Sequence, residues 1–248
     1  MKTNVFPTVR FGLLSLLIAG GLLLFSSCNQ KEEETPDPIT DEEVVEVISS
    51  AFVYGAEGLT DEIEDAAEVA ARYSEKSGNN DYCGVSFDST VAANLTHPNL
   101  SVDFSTSWNW MVNCNNASIP TSLDFARTAN GSFETNRIFV ESESNGSWSI
   151  NNLIGGNNWV FSGQFNRTST SRSKVGNQRE LNSVLNLTFP SVEVRKIDPE
   201  IVSGSGTATT TISGSGGNSI TVEGSITFLG NGKATLVING KSYEVDLN

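Results

Sequence analysis

Histidine is almost missing from this chain. His97 is the only one in 248 residues, and there are three cysteines and two methionines. A single histidine is too few for histidine-based metal sites, and the cysteines have no neighbouring histidine to complete a zinc set. Cations are also scarce. Fifteen Lys and Arg stand against 29 Asp and Glu, a formal net charge of −14, and the lysine and arginine clusters that bind nucleic acid are absent. No Gly-x-Ser-x-Gly, His-Glu-x-x-His or supported Ser-x-x-Lys pattern occurs, and no EF-type calcium loop. The glycine-rich stretches Ser203–Gly206 and Ser213–Asn218 are not followed by Gly-Lys-Ser/Thr, so they read as flexible turns and not as phosphate loops. His97 stands in Thr96-His97-Pro98-Asn99, a turn-like setting where a solvated imidazole is the plain expectation. Glu134, Glu141 and Glu143 are the acids that sugar hydrolysis would call on, but sequence gives them no working separation. No enzyme activity, cofactor or metal is expected.

The N-terminus is where the sequence is most specific. Lys2 and Arg10 precede Phe11–Phe25, which is almost wholly apolar. About 15 residues is short of the roughly 20 that a helix needs to span a bilayer, and it suits the apolar region of a signal peptide. Leu24-Phe25-Ser26-Ser27-Cys28 follows. This segment resembles the lipobox of bacterial lipoproteins, with Phe25 departing from the leucine usual at its place. The resemblance implies cleavage before Cys28, diacylation of its sulfur and acylation of the new amine. Asn29-Gln30-Lys31-Glu32-Glu33-Glu34 comes next and resembles the surface-export signal of Bacteroidota lipoproteins. It implies a lipid-anchored outer-membrane protein that faces outward; the alternative is a solvated acidic tether on a periplasm-facing protein. Residues 1–27 are thus expected to be a signal peptide and 28–39 an acidic tether, with 40–248 a single globular domain. With Cys28 taken by lipid, Cys83 and Cys114 remain as a pair outside the cytoplasm, where disulfides persist. Closing that loop of about 30 residues is worth roughly 3–4 kcal/mol in the chain-entropy picture.

Charge is uneven along the chain. Residues 31–76 hold 15 acids against three bases, whereas 77–248 hold 14 against 10. The acidic part has helical period. Thr40 and Glu43 form a capping-box pattern, and Val44, Val45, Val47, Ile48, Ala51 and Phe52 make an apolar stripe. A second stripe joins Leu59, Ile63, Ala66, Ala67, Ala70 and Tyr73. Residues 40–78 are expected to be helical. From about Gly84 to residue 247 the period becomes two, most clearly in Leu100–Val112, where Val102, Phe104, Trp108, Trp110 and Val112 alternate with polar residues. Thirteen residues at about 3.3 Å each would span roughly 43 Å. Asn-Gly pairs at 130–131, 145–146, 231–232 and 239–240 read as hairpin turns, giving about 11 strands with antiparallel neighbours. The polar segment Thr168–Lys174, with Arg167, Arg172, Lys174 and Arg179 around it, reads as a weakly basic loop, solvated or in contact with anionic glycans or headgroups.

The expected fold class is α+β, mainly β. A helical segment precedes a long-stranded antiparallel meander that forms a strongly curved sheet or barrel, with the helices on its apolar side or at its mouth; a transmembrane barrel is the competitor. Phe104, Trp108, Trp110, Trp159, Phe161 and Phe165 share the inward side. They are either core or the wall of an apolar pocket. Asp88-Ser89-Thr90 resembles the short O-glycosylation acceptor of Bacteroidota, with Ser89 as the acceptor. Two functions follow as expectations. One is a non-catalytic surface lipoprotein with an interaction or structural role, its partners the membrane through the anchor and an envelope protein, glycan or lipid. The other is a carrier of a small apolar molecule or lipid.

Overall fold

The computed structural model describes residues 38–52, 57–74, 81–97, 100–174 and 179–247. All belong to the unit Thr35–Asn248. The signal-like segment, Cys28 and the acidic run after it lie outside the described residues. Two helices come first, α1 (Asp41–Ser50) and α2 (Leu59–Ser74), and ten strands follow. The strands are β1 (Ser86–His97), β2 (Leu100–Cys114), β3 (Pro120–Thr135), β4 (Ile138–Asn151), β5 (Asn158–Ser173), β6 (Glu180–Arg195), β7 (Ile201–Gly214), β8 (Ser219–Gly230), β9 (Lys233–Ile238) and β10 (Lys241–Asp246). They form one sheet in chain order, with every described pairing between named strands antiparallel. The sheet is open, so the barrel alternative does not hold: among the described residues β1 pairs only with β2, and β10 only with β9. Closure is not needed to satisfy the apolar face, because the helices cover it.

The first helix begins as the sequence predicts, while the expected helical stretch 40–78 is interrupted between α1 and α2, with turns at 51–52 and 57. Thr40 caps α1 through a complete capping box with Glu43, and Asp41, Glu42 and Glu43 place negative charge at the positive end of the helix dipole. Val44, Ile48, Ala51 and Phe52 are buried, as are Leu59, Ile63, Ala66, Ala67, Val69, Ala70 and Tyr73 of α2. Alanine on the α2 stripe lets the helix sit close to the strands.

In the sheet, alternate residues line up across strands into rungs. One rung runs Phe87–Trp110–Phe125–Trp148–Gly163–Phe189. Its rings stack where they meet, Phe87 on Trp110 and Trp148 on Phe189, each with centroids 5.7 Å apart. Trp148 and Phe189 lie two strands apart and touch over Gly163. A Cβ there would sit 2.9 Å from the Trp148 ring and 2.1 Å from the Ser147 carbonyl oxygen. The next rung, Val112–Leu123–Ile150–Phe161–Val192, is at most 0% exposed throughout. The disulfide forms between Cys83 and Cys114, with Cα atoms 5.7 Å apart, and ties the segment entering β1 to the end of β2.

Among the described residues the strands number ten, against the expected count of about 11, and several expected turns lie inside strands. Asn231-Gly232 and Asn239-Gly240 do turn the chain with positive φ at all four residues. Asn130-Gly131 and Asn145-Gly146 instead sit mid-strand in β3 and β4. Their glycines are explained by contacts from neighbouring elements: a Cβ on Gly131 would meet the Asp103 carbonyl oxygen at 2.6 Å. Ser203–Gly206 lies within β7, where Gly206 makes room for the Phe189 ring, while Gly214–Ser219 is the turn into β8. Thr168–Ser173 belongs to β5 and is not a loop. Its cations are paired with acids on neighbouring elements: Arg172 with Glu180 at 2.6 Å, Lys174 with Glu134, and Arg179 with Glu43 at 3.1 Å.

Candidate functional site

Two features are built well enough to carry function: the seam between α2 and the sheet, and the opposite face of the sheet.

At the seam, α2 lies on the aromatic rungs and receives hydrogen bonds from three tryptophans. Trp110 Nε1 donates to Tyr73 Oη at 3.1 Å, Trp159 Nε1 to Ser74 Oγ at 3.2 Å, and Trp148 Nε1 to Glu62 Oε1. Burying an indole without a partner for its N–H is costly, so these bonds fix α2 in place as well as in register. Glu62 is fully buried. Its carboxyl occupies the space above Gly146, where a Cβ would come within 1.5 Å of Oε1. Beside it, Arg127 donates from Nε to Asp65 Oδ2 at 2.8 Å and also pairs with Glu57. Thr106 Oγ1 donates to the same Glu57 carboxylate at 2.8 Å. Arg167 donates from Nη1 to the Ser50 carbonyl at 2.9 Å and from Nη2 to Ser142 Oγ at 3.2 Å, anchoring the end of α1.

Burial sets the protonation of this cluster. It pushes the Glu62 carboxyl up to about 8, with the Trp148 hydrogen bond and the Arg127 charge opposing. Asp65 is raised for the same reason, again against the pull of Arg127. Burial lowers Arg167 to about 10, with the charges of Asp61 and Glu57 resisting. At neutral pH Glu62 is therefore mostly a neutral acid, whereas Arg127 faces the carboxylates of Glu57 and Asp65. Glu62 Oε2, Arg127 Nη1, Arg167 Nε and Thr210 Oγ1 find no hydrogen-bond partner among the described residues.

The six aromatic residues singled out by alternation all lie on this helix-covered side. Trp159, Phe161 and Phe165 are at most 1% exposed and Trp110 is 8% exposed, while Phe104 and Trp108 are half-buried. The space beside Phe104, bounded by Glu57, Val102 and Phe133, is about 20 Å³. Ligand pockets run to roughly 300–1,000 Å³, so this one has room for about one water.

The opposite face is mostly polar at its centre, with Val184 exposed among hydroxyls and amides. One rung reads Thr90–Ser107–Thr128–Asn145–Asn166–Asn186–Thr209 and the next Ala92–Ser105–Asn130–Glu143–Thr168–Val184–Thr211. A cleft of about 610 Å³ opens on this face, lined by Asp103, Asn130, Ser132, Glu141, Glu143 and Asn182 among others. Glu141 and Glu143 are two residues apart on it, about 7 Å along the strand. Glu134, one rung further along on the neighbouring strand, is paired with Lys174 and is not among the residues that line the cleft. Ser89 is half-buried in β1, opposite Trp108, in a strand and not a loop. His97 is the last residue of β1, paired with Leu100. Among the described residues no three His, Cys, Asp or Glu come together to hold a metal ion, and no helix is long and apolar enough to cross a membrane.

Comparison with protein-family models, curated proteins and solved structures found no significant match.

The residues that alternation did not single out are Glu62, Arg127 and Arg167. Each stands at an inward position of its own pattern, so the signal was present as a charge at an apolar phase.

Proposed function

We propose that this chain is a lipoprotein of the outer membrane, anchored through Cys28 and facing outward, with a non-catalytic interaction or structural role. The anchor rests on the signal-like segment and the lipobox-like Leu24–Cys28. Several acyl chains, at about 0.8 kcal/mol per buried methylene, hold a protein on a bilayer almost permanently. The observation that carries the role is the division of labour between the two sides of the sheet. The aromatic side is taken up by α2, whose buried residues and three indole bonds fill it. The hydroxyl- and amide-rich side is left to solvent and to partners. To hold an apolar molecule against Trp110, Trp148 and Trp159 the chain would need α2 to leave, exposing Glu62 and separating Arg127 from Glu57 and Asp65.

Metabolic labelling with a fatty-acid analogue tests the anchor. Label is expected in the wild type and absent from Cys28→Ala; equal incorporation in both refutes it. Protease added to intact cells is expected to remove the domain, and an untouched domain refutes the outward orientation. Native mass spectrometry of the purified chain is expected to show no apolar ligand, and a stoichiometric lipid would instead establish the carrier reading.

A further inference from the structure

The two edges of the sheet are treated differently. β10 is six residues long and carries Lys241, Glu244 and Asp246. Lys241 binds Asp41 of α1 at 2.6 Å, and Asn239 reaches the same carboxylate at 3.2 Å. A short, charged edge beside a helix is how proteins keep a sheet from growing. β1 has none of these protections. It is 12 residues long, contains no lysine, arginine or proline, and has Asp88 as its one acid. It is paired with β2 from end to end without a bulge. No strand among the described residues takes its outer side. Val91 faces the helix side of the sheet yet is 45% exposed, and Val85 just before the strand is 42% exposed.

We propose that β1 pairs antiparallel with β1 of a second copy of this chain, making a two-fold dimer with one continuous sheet. The occupant follows from the strand's own sequence. In a two-fold pair, the residue on the axis meets itself and residues equally far on either side meet each other. With Val91 on the axis, eleven residues, 86–96, pair and the exposed Val91 side chains cover one another. Asp88 then lies opposite Asn94 of the second copy, twice per dimer. Asn94 already gives one N–H to Asp103, at 3.1 Å, and its amide has a second to offer. Moving the axis to Ala92 or Thr90 sets Asp88 against Thr96 or Ala92 and loses the amide. The alternation of antiparallel ladders gives roughly ten to twelve backbone hydrogen bonds in this register.

Charge opposes this meeting of two acidic chains only weakly, because β1 carries a single acid. The Asp88 residues of the two copies are offset by six positions, about 20 Å, or roughly two Debye lengths at 0.1 M salt. The guarded β10 edge stops the assembly at two copies. If the anchor proposed above holds, confinement to a membrane raises the local concentration of chains, but the pairing itself does not depend on it.

The test uses the full chain in cells. Val91→Cys is compared with Thr209→Cys, an exposed position in the middle of the sheet. Under mild oxidation Val91→Cys is expected to give a disulfide-linked dimer at least an order of magnitude faster. Val91→Lys in the purified chain is expected to weaken association by a similar factor while leaving the thermal midpoint in place. Wild-type association is expected to strengthen as added salt shortens the Debye length from roughly 30 to 3 Å. Cross-linking of Val91→Cys no faster than Thr209→Cys, or to a different protein, overturns the proposal; so does association indifferent to Val91→Lys. Should Val91→Lys fail to fold, the cross-link decides alone. A labelled chain that stays monomeric refutes the dimer and keeps the anchor, and an unlabelled chain that cross-links does the reverse.

Discussion

Glu62→Gln removes an ionisable group from the seam between α2 and the sheet while keeping its shape and its acceptor for Trp148. The folded chain holds the Glu62 carboxyl at about 8, against an ordinary value of 4.5. Between those values the folded state binds a proton that the unfolded state has released, so stability contributed by this group falls as pH rises. It is fully present below 4.5 and levels off at its lowest above 8. Each pH unit in that window is worth about 1.4 kcal/mol, which gives a loss of roughly 3–4 kcal/mol between pH 5 and pH 8. Glutamine does not titrate. The stability of Glu62→Gln relative to wild type is therefore expected to rise by about that amount across the window. Asp65 is also raised by burial, but it is present in both proteins and largely drops out of the difference. Guanidinium unfolding of both chains, followed by tryptophan fluorescence at pH 5, 6, 7 and 8, measures it. A difference that stays constant to within about 0.5 kcal/mol would mean that Glu62 is ionised in the folded chain at neutral pH, and the account of the seam would be wrong.

Two further sets of substitutions probe the same packing and the covalent tie. Gly146→Ala drives a methyl into the space of the Glu62 carboxyl and is expected to cost about 1–3 kcal/mol. Adding Glu62→Ala is expected to recover part of that loss, and additive losses in a double-mutant cycle would refute the contact. Replacing Cys83 and Cys114 together by serine is expected to cost about 3–4 kcal/mol. Reductant should reproduce this in the wild type and leave the double variant unchanged.

The helix and strand periods, the cap at Thr40 and the disulfide were all legible, because each is a local pattern or an even count. What the pattern hid was the use of charge. Glu62 falls three residues after Leu59 and four before Ala66, on the buried stripe. Arg127 alternates with Phe125 and Ala129, and Arg167 follows two residues after Phe165. Their phases pointed inward, but a charge goes inward only with partners, and Arg127 finds Asp65 and Glu57 at 62 and 70 residues' distance along the chain. The same holds for glycine. Asn-Gly marks a turn where the chain acts alone, as at 231–232. At 145–146 the glycine answers to a side chain on α2, and at 130–131 to the backbone of β2, and the strands run straight through.

Because every strand of the meander after the first pairs with the one made just before it, the sheet itself needs no distant segment to arrive; only the docking of the helices joins parts far apart in the chain. The Cys83–Cys114 bond requires little more than the first hairpin, so a chain emerging vectorially can be stapled while most of its sheet is still unmade. Later hairpins then add one at a time on a template already in place. The β9–β10 end closes last, and it is tied back to the first helix through Lys241 and Asp41, so the final hairpin locks an element made at the start of the domain.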